Sequence, residues 1–165
     1  PEKSLPVAAA AVAAIAGDRA VTWAVTDTAA QLAMLDIPSS VTVLPLGALQ
    51  PDDLHDAMRA ADVVLLPAER ELFGNVTGEA MALGCAVVGA DAGATPEVIG
   101  DAGVLFDSGD AGAAAAAVTS LLDDAGRRAR LGAAARRRIG DRFALASMEA
   151  GFDGLVRSLA ADRES

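Results

Sequence analysis

The sequence is poor in several residue types, and each scarcity excludes a class of protein. Tyrosine is absent and aromatic residues make up 3% of the 165 residues, so the core has to be built from Ala, Val, Leu and Ile. The single cysteine, Cys85, excludes an internal disulfide and a cysteine-based metal site, and it makes the cytoplasm the default compartment. The most apolar stretch, residues 5–17, is shorter than the roughly 18 residues of a membrane span, and only Lys3 precedes it, which is unlike a signal peptide.

Basic residues are outnumbered. Lys and Arg total 13 against 23 Asp and Glu, which gives a net charge of −10, and Lys3 is the only lysine. This balance argues against binding to nucleic acid or to an anionic membrane, although it leaves room for one local phosphate-binding pocket. With 53% hydrophobic and 22% charged residues, residues 1–165 are expected to form one globular domain.

Strand and helix patterns alternate along the chain and are followed by helices alone. Short β-branched or apolar runs predict strands at 20–26, 41–47, 62–67, 85–90 and 102–106. Those at 20–26 and 85–90 are predicted to be buried, and the continuously apolar run at 62–67 predicts a strand covered on both faces. Helices are predicted at 5–16, 28–35, 51–61, 76–83, 95–100, 110–124, 125–140 and 144–163, several with caps such as Thr28 and Asp110. Alternation of this kind predicts an α/β fold, a Rossmann-like parallel sheet with helices on both faces.

One stretch, "ERELFGNVTGEAMALG" (69–84), combines a loop acid with a helix acid. Ligands bind beyond the carboxyl ends of parallel strands, and the predicted helix from Val76 turns its N-terminus towards that crevice, where it favours a phosphate. Glu71 and Glu79 suit hydroxyl groups instead, because an ionised carboxylate accepts two O–H bonds. The combination predicts a ligand with a central phosphate and hydroxyl-rich parts on either side, such as a nucleotide-sugar. Taken alone, without Glu71 and Phe73-Gly74, Glu79 is better interpreted as an acid that stabilises the first turn of its helix or as a solvated acid.

Several motifs resemble the donor-binding, C-terminal domain of the retaining group 1 glycosyltransferases of GT-B fold. The family's two glutamates, separated by seven residues, match Glu71 and Glu79 within a "Glu-x-Phe-Gly…Glu-Ala-Met-Ala" pattern. A "PEV…GDAG" stretch matches residues 96–103, and the similarity covers most of residues 41–153. The resemblance implies transfer of a sugar from a nucleoside diphosphate sugar to a hydroxyl acceptor, with the anomeric configuration retained.

The resemblance also implies roles for individual residues, all of them toward the donor and none toward a metal or other cofactor. Glu71 would contact the sugar hydroxyls and Glu79 the nucleotide ribose. Lys3, in the "PEK" segment, would act with Glu71 in catalysis by contacting the diphosphate, although a mobile terminal charge is the alternative for Lys3. Backbone groups would contribute as well, with Phe73 and Gly74 against the sugar, Val76 and Thr77 against the diphosphate, and Gly47 and Leu49 against the base.

Parts of the family pattern are missing. In such proteins a strand ending in Gly-Arg precedes the segment that contains Lys3, and an N-terminal domain binds the acceptor. We therefore expect a sheet without its first strand, a chain that alone is inactive and binds donor weakly or not at all, and a need for the N-terminal domain or a partner chain. The full enzyme could associate peripherally with a membrane. The alternatives are a non-catalytic nucleotide-binding or interaction module and an inactive truncated remnant.

The remaining conspicuous residues favour structural interpretations. His55 lies in an acidic helix and is predicted to be solvated. Trp23 and Cys85 are predicted to pack in the core. The arginine runs at 127–130 and 136–138 are predicted to form a solvated face, or an interdomain or membrane-proximal patch.

Overall fold

Strands and helices alternate in the computed structural model, which describes residues 4–17, 19–72 and 74–143. The strands are β1 (Val21–Val25), β2 (Val41–Pro45), β3 (Val64–Leu66), β4 (Val87–Asp91) and β5 (Val104–Asp107). The helices are α1 (Leu5–Ile15), α2 (Ala29–Leu32), α3 (Pro51–Ala60), α4 (Asn75–Ala82), α5 (Thr95–Ile99), α6 (Ala111–Leu122) and α7 (Ala125–Arg142). The predicted helix 144–163 lies outside the described residues.

The strands form two parallel sheets. β1 pairs with β2, and a second sheet runs in the order β3-β4-β5. In a doubly wound sheet of order 3-2-1-4-5-6, these two groups correspond to strands 3-2 and 4-5-6. The predicted α/β fold with parallel strands and helices on both faces is thus confirmed. Within the described residues, the gap between the two sheets falls at the position that strand 1 occupies in the 3-2-1-4-5-6 order.

Strand β4 is the centre of the core because helices cover both of its faces. Val88 and Ala90 face a cluster built with α1 and α6, whereas Val87 faces a second cluster that contains Met81 and Ile99. These residues are all buried, which agrees with the continuous apolar run that predicts the strand. The loops described below follow the carboxyl end of this buried strand.

The prediction that strand 20–26 is buried is wrong for one of its faces. Trp23 is half-buried and packs near Val12 of α1, but Thr22 and Ala24 on the opposite face are exposed. Helix α1 covers only one side of the β1–β2 pair, and successive strand residues point to opposite sides. The β-branched composition of the run therefore indicated the strand correctly but not its second, exposed face.

Two predicted helix caps are confirmed by hydrogen bonds. The Thr28 hydroxyl accepts from the Gln31 backbone N–H at 3.4 Å, and the Gln31 side chain accepts from the Thr28 N–H at 3.1 Å, which completes a capping box. The Asp110 carboxylate accepts from the Ala113 N–H at 2.8 Å and begins α6. Local side-chain chemistry thus fixes these two helix starts.

Three arginines of the α7 runs bond to backbone carbonyls of other helices, which the sequence did not predict; Arg136 is exposed as expected, whereas Arg128 and Arg138 are half-buried. Arg128 donates to carbonyls at the C-terminal end of α6, at 2.6 and 2.8 Å. Arg136 donates to the last carbonyl of α4 at 3.1 Å, and Arg138 donates to two carbonyls near the end of α5 at 2.7 and 2.8 Å. The last carbonyls of a helix lack partners inside it and carry partial negative charge, so they attract guanidinium groups. Helix α7 thereby fastens three other helices by their C-termini.

Candidate functional site

The candidate site lies where β3 ends and α4 begins. Residues 67–72 and 74, which lie between β3 and α4, are at the carboxyl edge of the three-stranded sheet, which is where ligands bind in open parallel sheets. The loop after β4 lies beside them, because the Ala94 N–H donates to the Glu71 carbonyl at 2.8 Å. Two loops from neighbouring strands therefore form one surface.

Glu71 is held in this surface by its own side chain as well as by its backbone. Its Oε1 accepts from the Gly74 N–H at 3.0 Å, three residues further along. The residue is half-buried, whereas the side chain of the following residue, Leu72, is 85% exposed. The loop acid predicted from the sequence is therefore a fixed part of the turn that leads into α4.

Helix α4 starts from a left-handed glycine. Gly74 has φ of 66° and is the N-cap, and a Cβ there would lie 2.9 Å from Val98 Cγ2 in α5. A larger residue would therefore meet both backbone strain and a steric overlap. Val76 is 41% exposed at the start of the helix, whereas the Thr77 side chain is buried. Thr77 therefore presents no side chain to the crevice.

Glu79 is not in the first turn of its helix, which corrects the sequence-based expectation. Helix α4 begins at Asn75, one residue earlier than predicted, so Glu79 is its fifth residue and the first turn contains no acidic side chain. Stabilisation by the helix dipole falls off within the first turn, so the dipole gives little reason for an acid at this position. The interpretation of Glu79 as a helix-stabilising acid is weakened accordingly.

His55 is brought to Glu79, which the sequence did not predict. His55 Nε2 lies 3.7 Å from Glu79 Oε2, and the His55 side chain is 29% exposed. The predicted solvated histidine is therefore partly covered and sits against the candidate ribose-binding acid. No signal in the sequence joins the two residues, since they lie in separate helices whose packing only the tertiary structure shows.

The loop after β2 reaches the carboxyl edge of the other sheet. Gly47 has φ of 63°, and its N–H donates to the Asp27 carbonyl at 3.3 Å, which joins the loops after β1 and β2. Leu49 is half-buried and lies two residues before α3, the helix that carries His55. Gly47 and Leu49, which were predicted to contact the base, thus lie in the loop that leads into α3, and His55 of α3 lies next to Glu79.

Lys3 and Phe73 were predicted from the sequence as site residues and lie outside the described residues. Their roles remain predictions.

A small open cavity of about 250 Å³ lies at the carboxyl ends of β4 and β5 and was not predicted from the sequence. Asp91 and Asp107, the last residues of the two strands, line it together with Phe106.

In the described parts of the chain, no group of three or more His, Cys, Asp or Glu side chains is arranged to hold a metal ion. Residues 4–17, 19–72 and 74–143 also contain no helix long and apolar enough to cross a membrane.

Comparison with known proteins gives a consistent family. Residues 28–138 match the family described as glycosyl transferases group 1. The D-inositol 3-phosphate glycosyltransferase of Xylanimonas cellulosilytica is 48% identical over 100 residues, which are 58% of this chain and 24% of that protein. The same enzyme of Corynebacterium kroppenstedtii is 45% identical over 84 residues, 50% of this chain and 19% of that protein. The matched part of the chain thus spans about a fifth to a quarter of these curated relatives.

Solved structures of the same fold agree with that match. The sucrose-phosphate synthase of Thermosynechococcus elongatus superposes with a TM-score of 0.75 at 23% identity, over 98% of this chain and 43% of that one. Anabaena Alr3699/HepE in complex with UDP-glucose superposes with a TM-score of 0.62 at 26% identity, over 78% of this chain and 35% of that one. The arrangement of strands and helices described above is therefore one that known proteins share.

Proposed function

The chain belongs to the group 1 glycosyl transferases, and we propose that it is the donor-binding domain of such an enzyme, with a nucleoside diphosphate sugar as its ligand. The observation that carries this proposal is the fixed turn from Glu71 to the start of α4. Its acid accepts a hydrogen bond from Gly74 at the N-cap of α4, so a hydroxyl-binding group and an anion-binding helix end lie side by side.

In this proposal the diphosphate lies at the N-terminus of α4, near the backbone of Val76 and Thr77. The first N–H groups of a helix lack partners inside it and favour an anion. The sugar lies towards Glu71 and the backbone of Phe73 and Gly74. The ribose lies towards Glu79, and the base lies near Gly47 and Leu49.

The reaction proposed for the complete enzyme moves the sugar to an acceptor hydroxyl with retention. The bond between the anomeric carbon and the diphosphate oxygen breaks, the acceptor oxygen bonds to the anomeric carbon on the same face, and the proton of the acceptor hydroxyl passes to the departing diphosphate oxygen. Negative charge builds on the departing diphosphate, and Lys3 and the α4 N-terminus would stabilise it. This electrostatic stabilisation needs no metal ion, and we expect none to be required.

A second candidate is a binding module without transfer activity. Under the first candidate, by contrast, the acceptor site and the Arg of the family's Gly-Arg strand would come from an N-terminal domain or from a partner chain. Of the two expectations stated above for the 165 residues alone, weak binding of donor or none, the proposal commits to weak binding, with no transfer of sugar.

The test is a titration of the chain with UDP, GDP and ADP, and with UDP-glucose. Under the proposal one nucleoside diphosphate binds, and Glu79→Ala weakens it. Asp53→Asn, which removes an exposed carboxylate from α3, serves as the control and leaves the affinity unchanged. No binding of any of these ligands by the wild-type chain would contradict the proposal and indicate an inactive remnant. Sugar transfer by the isolated chain would contradict the need for a further domain.

A further inference from the structure

Helices α3 and α4 place one basic side chain against a proposed ligand-binding acid. His55 Nε2 lies 3.7 Å from Glu79 Oε2, and the two side chains are 29% and 45% exposed. Within the described residues, His55 is the only basic side chain that forms an ion-pair contact with Glu79. The contact is longer than a hydrogen bond, so its effect is to restrict and to attract the carboxylate rather than to bind it tightly.

The other basic side chain of α3, that of Arg59, is engaged elsewhere. Arg59, one turn beyond His55, donates to Asp56 at 2.9 Å. The rest of α3 is acidic in its first turn, where Asp52 and Asp53 lie. The helix thus turns its histidine, and not a carboxylate, towards Glu79, and it avoids a like-charge contact at that point.

We propose that His55 is a positioning residue that holds Glu79 for the ribose hydroxyls, an inference that rests on the proposed function of Glu79. A half-exposed glutamate samples several rotamers, and fixing one of them costs conformational entropy when a ligand binds. The imidazole restricts the carboxylate before the ligand arrives, so less of that cost falls on binding. His55 itself contacts no part of the ligand in this arrangement.

Positioning of Glu79 should affect only the part of the binding affinity that comes from the ribose hydroxyls. A carboxylate that accepts from both ribose hydroxyls distinguishes a ribonucleotide from its 2′-deoxy form, because the deoxy form lacks one of the two donors. Loss of positioning should reduce this discrimination while it leaves the contacts of the phosphates and the base in place. A general loss of structure would instead weaken both forms alike.

The experiment measures the affinities of UDP, GDP and ADP, each beside its 2′-deoxy form, for the full chain. For the best-bound nucleotide, His55→Ala should lower the ratio of ribo to deoxy affinity by about threefold, the effect of weakening one hydrogen bond. His55→Gln keeps an N–H donor and should restore part of the ratio. Asp53→Asn, an exposed change on the same helix, should leave the ratio unchanged.

Each contrary outcome has a separate meaning, and Glu79→Gln is measured alongside to separate them. Suppose that Glu79→Gln lowers the ratio of ribo to deoxy affinity but that His55→Ala and His55→Gln leave this ratio unchanged. The positioning role of His55 is then wrong, and the assignment of Glu79 to the ribose stands. If Glu79→Gln leaves the ratio unchanged, the ribose assignment itself is wrong. If the wild-type chain binds none of the nucleotides, both proposals are contradicted. Thermal unfolding of each variant shows whether the compared proteins are folded. If His55→Ala is not folded, His55→Gln is compared with the wild type instead.

Discussion

The backbone of Gly93 lies so close to the backbone of Glu71 that no side chain fits between them. Gly93 has φ of 57°, and a Cβ built on it would lie 2.9 Å from the Glu71 nitrogen and would overlap the Glu71 carbonyl oxygen. The next residue, Ala94, donates its N–H to that same carbonyl at 2.8 Å. The position of the candidate sugar-binding acid therefore depends on a glycine in a different loop.

Replacing Gly93 by alanine should displace Glu71 and weaken the sugar part of donor binding. The added methyl group meets backbone atoms, which cannot rotate away, and the left-handed φ adds about 1–2 kcal/mol of strain. We expect the gain in affinity of the nucleoside diphosphate sugar over its nucleoside diphosphate to fall in Gly93→Ala, while the affinity for the nucleoside diphosphate itself changes little. Calorimetric titration of the two ligands measures the difference.

Gly84→Ala is the matched control for Gly93→Ala. Gly84 also has a left-handed φ, of 80°, but a Cβ there meets its nearest neighbour at 3.6 Å, an ordinary contact distance. It lies just past the C-terminal end of α4, away from the candidate site. Equal losses of sugar-dependent affinity in the two variants would show that backbone strain, and not the contact with Glu71, is responsible.

Removal of the Arg138 side chain should destabilise the fold. Its guanidinium donates to the carbonyls of Glu97 and Val98 at 2.7 and 2.8 Å, and the side chain is only 15% exposed. Hydrogen bonds from a charged group are worth about 1.5–3 kcal/mol, so Arg138→Met should lower the free energy of unfolding by about 2 kcal/mol. Urea denaturation measures this change. The neighbouring exposed Arg137 is the control, and a loss in Arg137→Met as large as that in Arg138→Met would contradict the capping role.

The thiol of Cys85 should react slowly in the folded chain. Burial raises its pKa above the ordinary value of 9.0, the Arg59 charge opposes this shift, and the Sγ–H donates to the Met58 carbonyl at 3.4 Å. Because the thiolate is the reactive form, we expect iodoacetamide at about pH 8 to label Cys85 much faster in urea than in the native chain. Equally fast labelling in both states would contradict this account.

The same raised pKa gives the stability a pH dependence of known sign. Below pH 9.0, the ordinary value for the unfolded thiol, the thiol is protonated in both states and its contribution is fully present. As the pH rises from there through the higher pKa of the folded state, the unfolded chain gives up its proton first and stability falls. The urea midpoint of the wild type should therefore fall more than that of Cys85→Ala between about pH 8 and pH 10. Equal falls in the two proteins would show that Cys85 does not contribute.

Local sequence signals predicted the elements well because each signal acts over a few residues. The Thr28 and Asp110 caps, the apolar run of β4 and the start of α3 at Pro51 all reflect short-range chemistry. What the sequence did not predict is tertiary. The exposed face of β1, the contact of His55 with Glu79 and the caps that α7 places on other helices all require packing between distant segments.

The site shows the same division. Glu71, Gly74 and Glu79 could be found from their spacing in one short segment. Gly93 could not be found in this way, because its contact with Glu71 joins the ends of two strands that are adjacent only in the folded sheet. Resemblance to a family supplied the roles proposed for the site residues, and the structure supplied the contacts that hold Glu71 and Glu79.

The central claim is that the diphosphate of a nucleotide binds at the start of α4 and its ribose at Glu79. A titration of the ¹⁵N-labelled chain with UDP, GDP and ADP, followed by heteronuclear NMR, tests it most directly. The account predicts that the best-bound nucleotide shifts the backbone amide signals of Gly74, Val76 and Thr77 most, and that Glu79→Gln weakens this binding. Shifts confined to other surfaces, such as the cavity at Asp91 and Asp107, or no shifts with any of the three nucleotides, would contradict it.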